Sequence, residues 1–218
     1  MKYTQIIIRI KAVFPTISYD VVRTTGTTLT SISGTGTSAT GWKNGFNTDD
    51  NLSVPQPVGF NFNYQGVAYS NFCVSTNGFI TFNTGTTLIG NGSGNYSYTN
   101  GVASSGGTLI IAPFYEDLVC QGNAGLQANL DAAIKYSVAG SAGSRIFTIE
   151  WSGMEIYNHS GPNLNFQLKL YEATSQIEYV YGMMEAFVGT SNYVYSYTIW
   201  EVASYSFNWK LRFGPEWL

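Results

Sequence analysis

Among side chains able to move a proton or hold a metal, the 218-residue chain has 13 carboxylates and a single imidazole, His159. Glu150 and Glu155 stand on either side of Trp151, an arrangement that raises glycoside hydrolysis by two carboxylates across a cleft. Residues five apart on a strand point to opposite faces, so this pair converges only if a bulge at Gly153 reverses the alternation. Glu116 and Asp117 follow Pro113 at the end of an apolar stretch. Carboxylates there can hold calcium, act as acid and base, or meet water at a strand end, and a lone pair without a spaced motif reads as the last. Asp49-Asp50-Asn51 is an oxygen-rich loop, but it lacks the alternating acids and glycine of a calcium loop and reads as a solvated turn. Calcium is the one cofactor these residues admit, and nothing in the pattern requires it. His159, in Tyr157-Asn158-His159-Ser160-Gly161-Pro162, reads as a turn histidine rather than a triad base. Gly34-Thr35-Gly36 lacks the Lys and the strand-to-helix setting of a phosphate loop.

Two cysteines, Cys73 and Cys120, leave two readings open: one disulfide in an oxidising compartment, or two buried thiols in neighbouring strands. With one histidine and no CxxC, a zinc site of His and Cys is excluded. Of the tryptophans, Trp42 has the most polar company, with Asn44, Asn47, Asp49 and Asp50, and is the best candidate for a sugar-stacking platform. Packing is nevertheless the commoner role of any one tryptophan. Tyr96 and Tyr98 sit in a Gly/Asn/Ser/Thr run, the composition of binding loops that gain contact area at small entropy cost. The ligand-binding candidates are thus Trp42, Asp49, Asp50, Tyr96 and Tyr98, and the metal candidates Glu116 and Asp117. Sequons at Asn51, Asn91, Asn95 and Asn158 all fall in predicted loops.

The elements that must position these residues are strands. Period-two alternation marks 19–24, 58–64, 67–75, 78–83, 108–118, 133–138, 145–151, 164–172, 176–182, 193–200 and 205–213. Breaks at Asn63-Tyr64-Gln65-Gly66-Val67 and Glu172-Ala173-Thr174-Ser175-Gln176 read as hairpin loops. A short helix fits only 123–134. Thr24–Thr40 and Asn83–Gly107 are low in complexity and read as long mobile loops. Arg9 and Lys11 interrupt the apolar run after Met1-Lys2, so a secretory signal is not established; 5–14 reads as a strand, or the chain as a fragment. The expected organisation is an N-terminal extension or edge strand over 1–18 and one β-sandwich domain over 19–218. Only 11% of residues are charged while 16% are aromatic, and the net charge is -3. Such a surface reads as secreted and offers no basic patch for nucleic acid. No run approaches the roughly 18 apolar residues of a membrane span.

Val74-Ser75-Thr76-Asn77-Gly78-Phe79-Ile80-Thr81-Phe82, Ile110-Ile111-Ala112-Pro113-Phe114-Tyr115-Glu116-Asp117-Leu118, Ile134-Lys135-Tyr136, Arg145–Trp151 and Phe166–Glu172 resemble, in that order, blocks of secreted Bacteroidetes β-sandwich modules exported by type IX secretion. The same order is similar to nidogen-type extracellular domains. The resemblance covers about residues 55–185; residues 207–218 depart from the closing strand of the pattern. It implies extracellular or cell-surface display, with no catalytic residues to carry over. The expectation is an all-β, antiparallel sandwich of jelly-roll type with long Gly/Asn/Ser/Thr-rich loops, serving as a non-catalytic module for adhesion, glycan binding or surface assembly. Its expected partner is an extracellular glycan or surface protein, with self-association open. The alternatives are a structural subunit assembling by strand addition and a glycoside hydrolase on a lectin-like sandwich.

Overall fold

The computed structural model describes residues 6–13, 18–26, 28–43, 49–85, 109–116, 118–120, 133–156 and 164–184, with short strands at 197–198, 201–202 and 205–206. The strands are β1 (Ile6–Val13), β2 (Ser18–Thr25), β3 (Thr37–Ser38), β4 (Gln56–Tyr64), β5 (Val67–Ser75), β6 (Phe79–Thr81), β7 (Ile110–Ala112) and β8 (Leu118–Cys120). They continue with β9 (Ile134–Ala139), β10 (Ile146–Ile156), β11 (Leu164–Tyr171), β12 (Ile177–Met184), β13 (Tyr197–Thr198), β14 (Glu201–Val202) and β15 (Tyr205–Ser206). Alternation explains them well. In β4, Val58, Phe60, Phe62 and Tyr64 are buried while Pro57, Gly59, Asn61 and Asn63 face out, so one face of the strand is core and the other solvent.

Among the described residues the chain forms an all-β sandwich. An eight-stranded sheet has the order β2-β1-β12-β11-β10-β9-β3, with β8 also on β10, and a five-stranded sheet has the order β13-β7-β6-β5-β4. The pairings are antiparallel. The jelly-roll connectivity expected from the sequence does not appear in this order: β4 to β7 and β9 to β12 each run as a meander within one sheet. The single strand expected over 108–118 is two strands in different sheets. Pro113, with no N–H to give a ladder, lies where the chain leaves β7 for β8. The expected helix at 123–134 lies largely outside the described residues, and its last residue, Ile134, begins β9. Of the strands expected at 193–200 and 205–213, the described parts are β13 and β15.

One main core fills the space between the sheets, with Val74, Ile80 and Ile111 from the smaller sheet meeting Phe147, Ile149, Trp151, Phe166 and Leu168 from the larger. Within the core, the buried Trp151 and Tyr181 side chains also tie the layers by hydrogen bonds. The Trp151 indole donates to the Ser75 carbonyl at 2.9 Å, and the Tyr181 hydroxyl to the Pro113 carbonyl at 2.6 Å. Each replaces the water that a buried polar atom loses.

At the N-terminal end, β1 lies between β12 and β2, so β2 forms the outer edge among the described strands. Arg9 and Lys11, the charges that break the apolar run, have acids in register: Arg9 lies opposite Glu178, and Lys11 opposite Asp20. The polar segment after β2, expected as a mobile loop, is instead a strap over the outer face of the larger sheet. Leu29 packs on Gly182 of β12, where a Cβ would stand 3.0 Å from Leu29 Cδ1. The Thr30 carbonyl accepts from Gln167 Nε2 of β11 at 2.8 Å. The Ser31 hydroxyl and the Ile32 N–H donate to the two oxygens of Glu150 on β10, at 2.6 and 2.8 Å. Gly36 then passes over Lys135 of β9, with 3.0 Å from its would-be Cβ to Lys135 Cβ, and β3 joins the far edge. Along this path the chain turns at 32–36, where the Ile32 carbonyl accepts from the Thr35 and Gly36 N–H groups at 3.1 and 2.7 Å.

Candidate functional site

The residues singled out from sequence fall in two places, the first being the corner where the Ser75-Thr76-Asn77-Gly78 turn meets the approach to β8. Gly78 has φ +76°, and a Cβ there would lie 1.8 Å from the Phe114 carbonyl oxygen. The position therefore requires glycine for both its backbone conformation and the close approach. Asn77, only 2% exposed, accepts from the Leu118 N–H at 3.0 Å through Oδ1 and donates from Nδ2 to Asp50 Oδ1 at 3.4 Å. Thr76 holds the other side of the loop: its N–H donates to the Asn51 carbonyl at 3.0 Å, and its hydroxyl oxygen accepts from the Asn51 N–H at 2.9 Å. Two sequence blocks forty residues apart are thus clamped to the 49–53 segment by backbone and amide chemistry.

Asp49 bridges to Val119 of β8, and Asp50 adopts φ +55°, a left-handed conformation that Asp tolerates better than most residues. Burial pushes the Asp49 carboxyl above the usual carboxylate range, while hydrogen bonding with Asp50 pulls it down. This loop is not the solvated turn expected: Asn51 is buried, and its Oδ1 accepts from the Leu52 N–H at 3.0 Å. That burial also closes the Asn51 sequon to modification in the folded state. Trp42 pairs with Ser53 and packs, partly buried, against the main core. Both cysteines are buried thiols outside any disulfide, Cys120 in the main core and Cys73 in a smaller cluster with Leu52, Phe79, Ile110 and Ala112. Burial raises the Cys73 thiol, with Lys43 opposing. Glu116 is half-buried beside this corner. Asp117, Tyr96, Tyr98 and His159 lie outside the described residues. Among the described residues no group of three His, Cys, Asp or Glu side chains stands close enough to hold a metal.

The second place is β10. Its ladder with β11 shifts between Trp151 and Met154, where Gly153 takes φ +66° and donates its N–H to Asn165 Oδ1 at 2.9 Å. Trp151 and Met154 both enter the core, so the bulge does reverse the alternation and puts Glu150 and Glu155 on the same outer face. They remain roughly 15 Å apart along the strand, wider than the 5–10 Å that paired glycosidase carboxylates need. Glu150 is 1% exposed, and besides the strap it accepts from Gln167 Nε2 at 2.6 Å. Its chemistry is that of a clamp.

Sequence reasoning missed Asn77 as a bracket, taking Asn-Gly only as turn chemistry, and missed Gln167, which alternation alone assigns to solvent. The Arg145–Glu172 pair was also missed. Arg145 donates from Nε and Nη2 to the two Glu172 oxygens, and Glu172 further accepts from the Gly143 and Arg145 N–H groups at 2.9 and 3.0 Å. Hydrogen bonding from the guanidinium is the largest influence in holding Glu172 down at about 2.

A family model described as NIDO related matches residues 18–207. No curated protein matches the chain, and no solved structure does. The family match agrees with the nidogen-type resemblance of the motif blocks, and the geometry gives those motifs a physical meaning, because the Ser-Thr-Asn-Gly turn and the Ala-Pro-Phe-Tyr-Glu stretch are the two halves of one buried corner. The chain belongs to the NIDO-related family.

Proposed function

We propose that the chain is a non-catalytic extracellular module that recognises a glycan or a surface protein, with a rigid two-sheet frame carrying polar loops. One observation carries this reading: the described groups best placed for chemistry are engaged in holding the frame. Glu150 fastens the strap, Glu172 grips Arg145, and Asn77 braces the approach to β8. The family, a non-enzymatic and extracellular type of domain, supports the same reading. The 83–107 segment, with Tyr96 and Tyr98 among Gly, Asn, Ser and Thr, has the composition of a recognition loop and is the contact region of this proposal.

The test is a glycan array together with capture of surface proteins, using the whole chain and a Tyr96→Ala/Tyr98→Ala variant. The expected result is binding to one ligand class that the variant loses while its melting temperature is unchanged. Turnover of a glycoside substrate that Glu150→Gln abolishes would overturn the proposal in favour of hydrolysis.

A further inference from the structure

The described residues between 6 and 38 form an arm on a frame built by strands β4 to β12: β1 and β2 extend the larger sheet beyond β12, residues 28–36 cross its outer face, and β3 joins its far edge. The β1 and β2 strands pair over their whole length, Ile6 with Thr25 through to Val13 with Ser18. It meets the frame along the edge of β12, with Ile7, Ile8, Arg9 and Ile10 opposite Val180, Tyr179, Glu178 and Ile177. The strap is fastened to Glu150 and Gln167, and β3 ends the arm on β9, with Thr37 and Ser38 opposite Tyr136 and Lys135. The meanders from β4 to β7 and from β9 to β12 pair among themselves without the arm. Beyond β3 the backbone turns at Gly41, φ +68°, before Trp42 joins Ser53.

We infer that this arm exchanges between two copies of the chain, forming a two-fold dimer in which each β1 completes the partner's β12 edge and each strap crosses the partner's β10 and β11. The occupant of the edge is defined by what already sits there: a strand whose residues 7–10 pair in register with residues 177–180, followed by a Ser-Ile step that offers a hydroxyl and an N–H to Glu150. A second copy supplies the same groups in the same register, so the strand pairing and strap bonds broken on opening are remade on exchange, which makes this a low-cost route to a dimer. Opening is the costly step, and the Glu150 and Gln167 bonds to the strap oppose it. The inference stands whatever ligand the module binds.

The experiment uses full-length chains carrying Cys73→Ala and Cys120→Ala, one with R9C and the other with E178C, mixed under mild oxidation. Exchange predicts a disulfide-linked heterodimer on a non-reducing gel whose yield rises with protein concentration. Adding Glu150→Ala to both chains removes two strap bonds and should speed its formation about tenfold. A chain carrying both R9C and E178C should close within itself, whereas K11C mixed with E178C, two residues out of register, should not cross-link. Internal closure with no heterodimer at any concentration would fix the arm to its own frame and overturn the inference. Failure of internal closure would remove the register on which it rests, and equal cross-linking by K11C would reduce it to collision.

Discussion

At the scale of single residues, the most constrained position is Gly78. Any side chain there faces both a left-handed backbone, φ +76°, and the Phe114 carbonyl oxygen 1.8 Å from the Cβ position. Because the obstacle is backbone, it cannot swing aside. Gly78→Ala should therefore destabilise the fold by roughly 2–4 kcal/mol, read as a fall in the urea midpoint at unchanged slope. A loss under about 0.5 kcal/mol, the range of an ordinary surface substitution, would show that the corner is not as tight as described. Asn77 gives a second test. Asn77→Ala leaves the buried Leu118 N–H without its acceptor and should cost about 1–3 kcal/mol. Asn77→Asp keeps that acceptor but sets a carboxylate against Asp50, so it should not restore stability. The turn itself is legible in the sequence, since Asn-Gly announces positive φ. Its partner is not, because the Phe114 carbonyl that excludes a side chain arrives from a block more than thirty residues away.

At the scale of elements, alternation locates most of the frame strands because strands such as β4 bury one face and expose the other. It failed for the strap. Thr, Ser and Gly in series carry no periodic apolar signal, and what orders them is a carboxylate 118 residues along the chain and a glutamine on the next strand. Gln167 is likewise 0% exposed at a position that alternation gives to water, since a single-sheet pattern cannot register a cover. The strap's order thus depends on a few polar bonds and the seating of Leu29, and such a segment opens well below the free energy of global unfolding. Glu150→Ala should raise hydrogen exchange at 28–36 toward that of an open chain while protection in β5 and β11 persists. Equal loosening of β11 would mean instead that Glu150 supports the sheet itself.

At the scale of the molecule, the two sheets are joined at one end by the Arg145–Glu172 clasp. Arg145 lies just before β10 and reaches across to the Gly59 carbonyl of β4, in the other sheet, at 2.7 Å, while its guanidinium stands 5.4 Å from the centre of the Phe60 ring. Glu172, just past β11, binds the arginine and the Gly143 N–H together. Both residues are visible in the sequence, but Gly59 joins them only because its φ of +89° falls within a register shift in β4, which no local pattern announces. The clasp has a pH signature. Glu172 titrates at about 2 in the fold against an ordinary value of 4.5, so the folded state binds its proton more weakly than the unfolded chain does. Its contribution is complete above 4.5 and is lost as the pH falls from there toward 2. Comparing urea midpoints of the native chain and Glu172→Gln isolates it, since the other carboxylates titrate alike in both. The native chain should be the more stable at pH 6, with the gap closing between pH 4.5 and 2. The side chains are partly exposed, at 30% and 16%, so salt should narrow the gap at pH 6 as well. A gap that stays constant from pH 6 to 2 would assign the effect to packing at the end of β11 rather than to the ion pair.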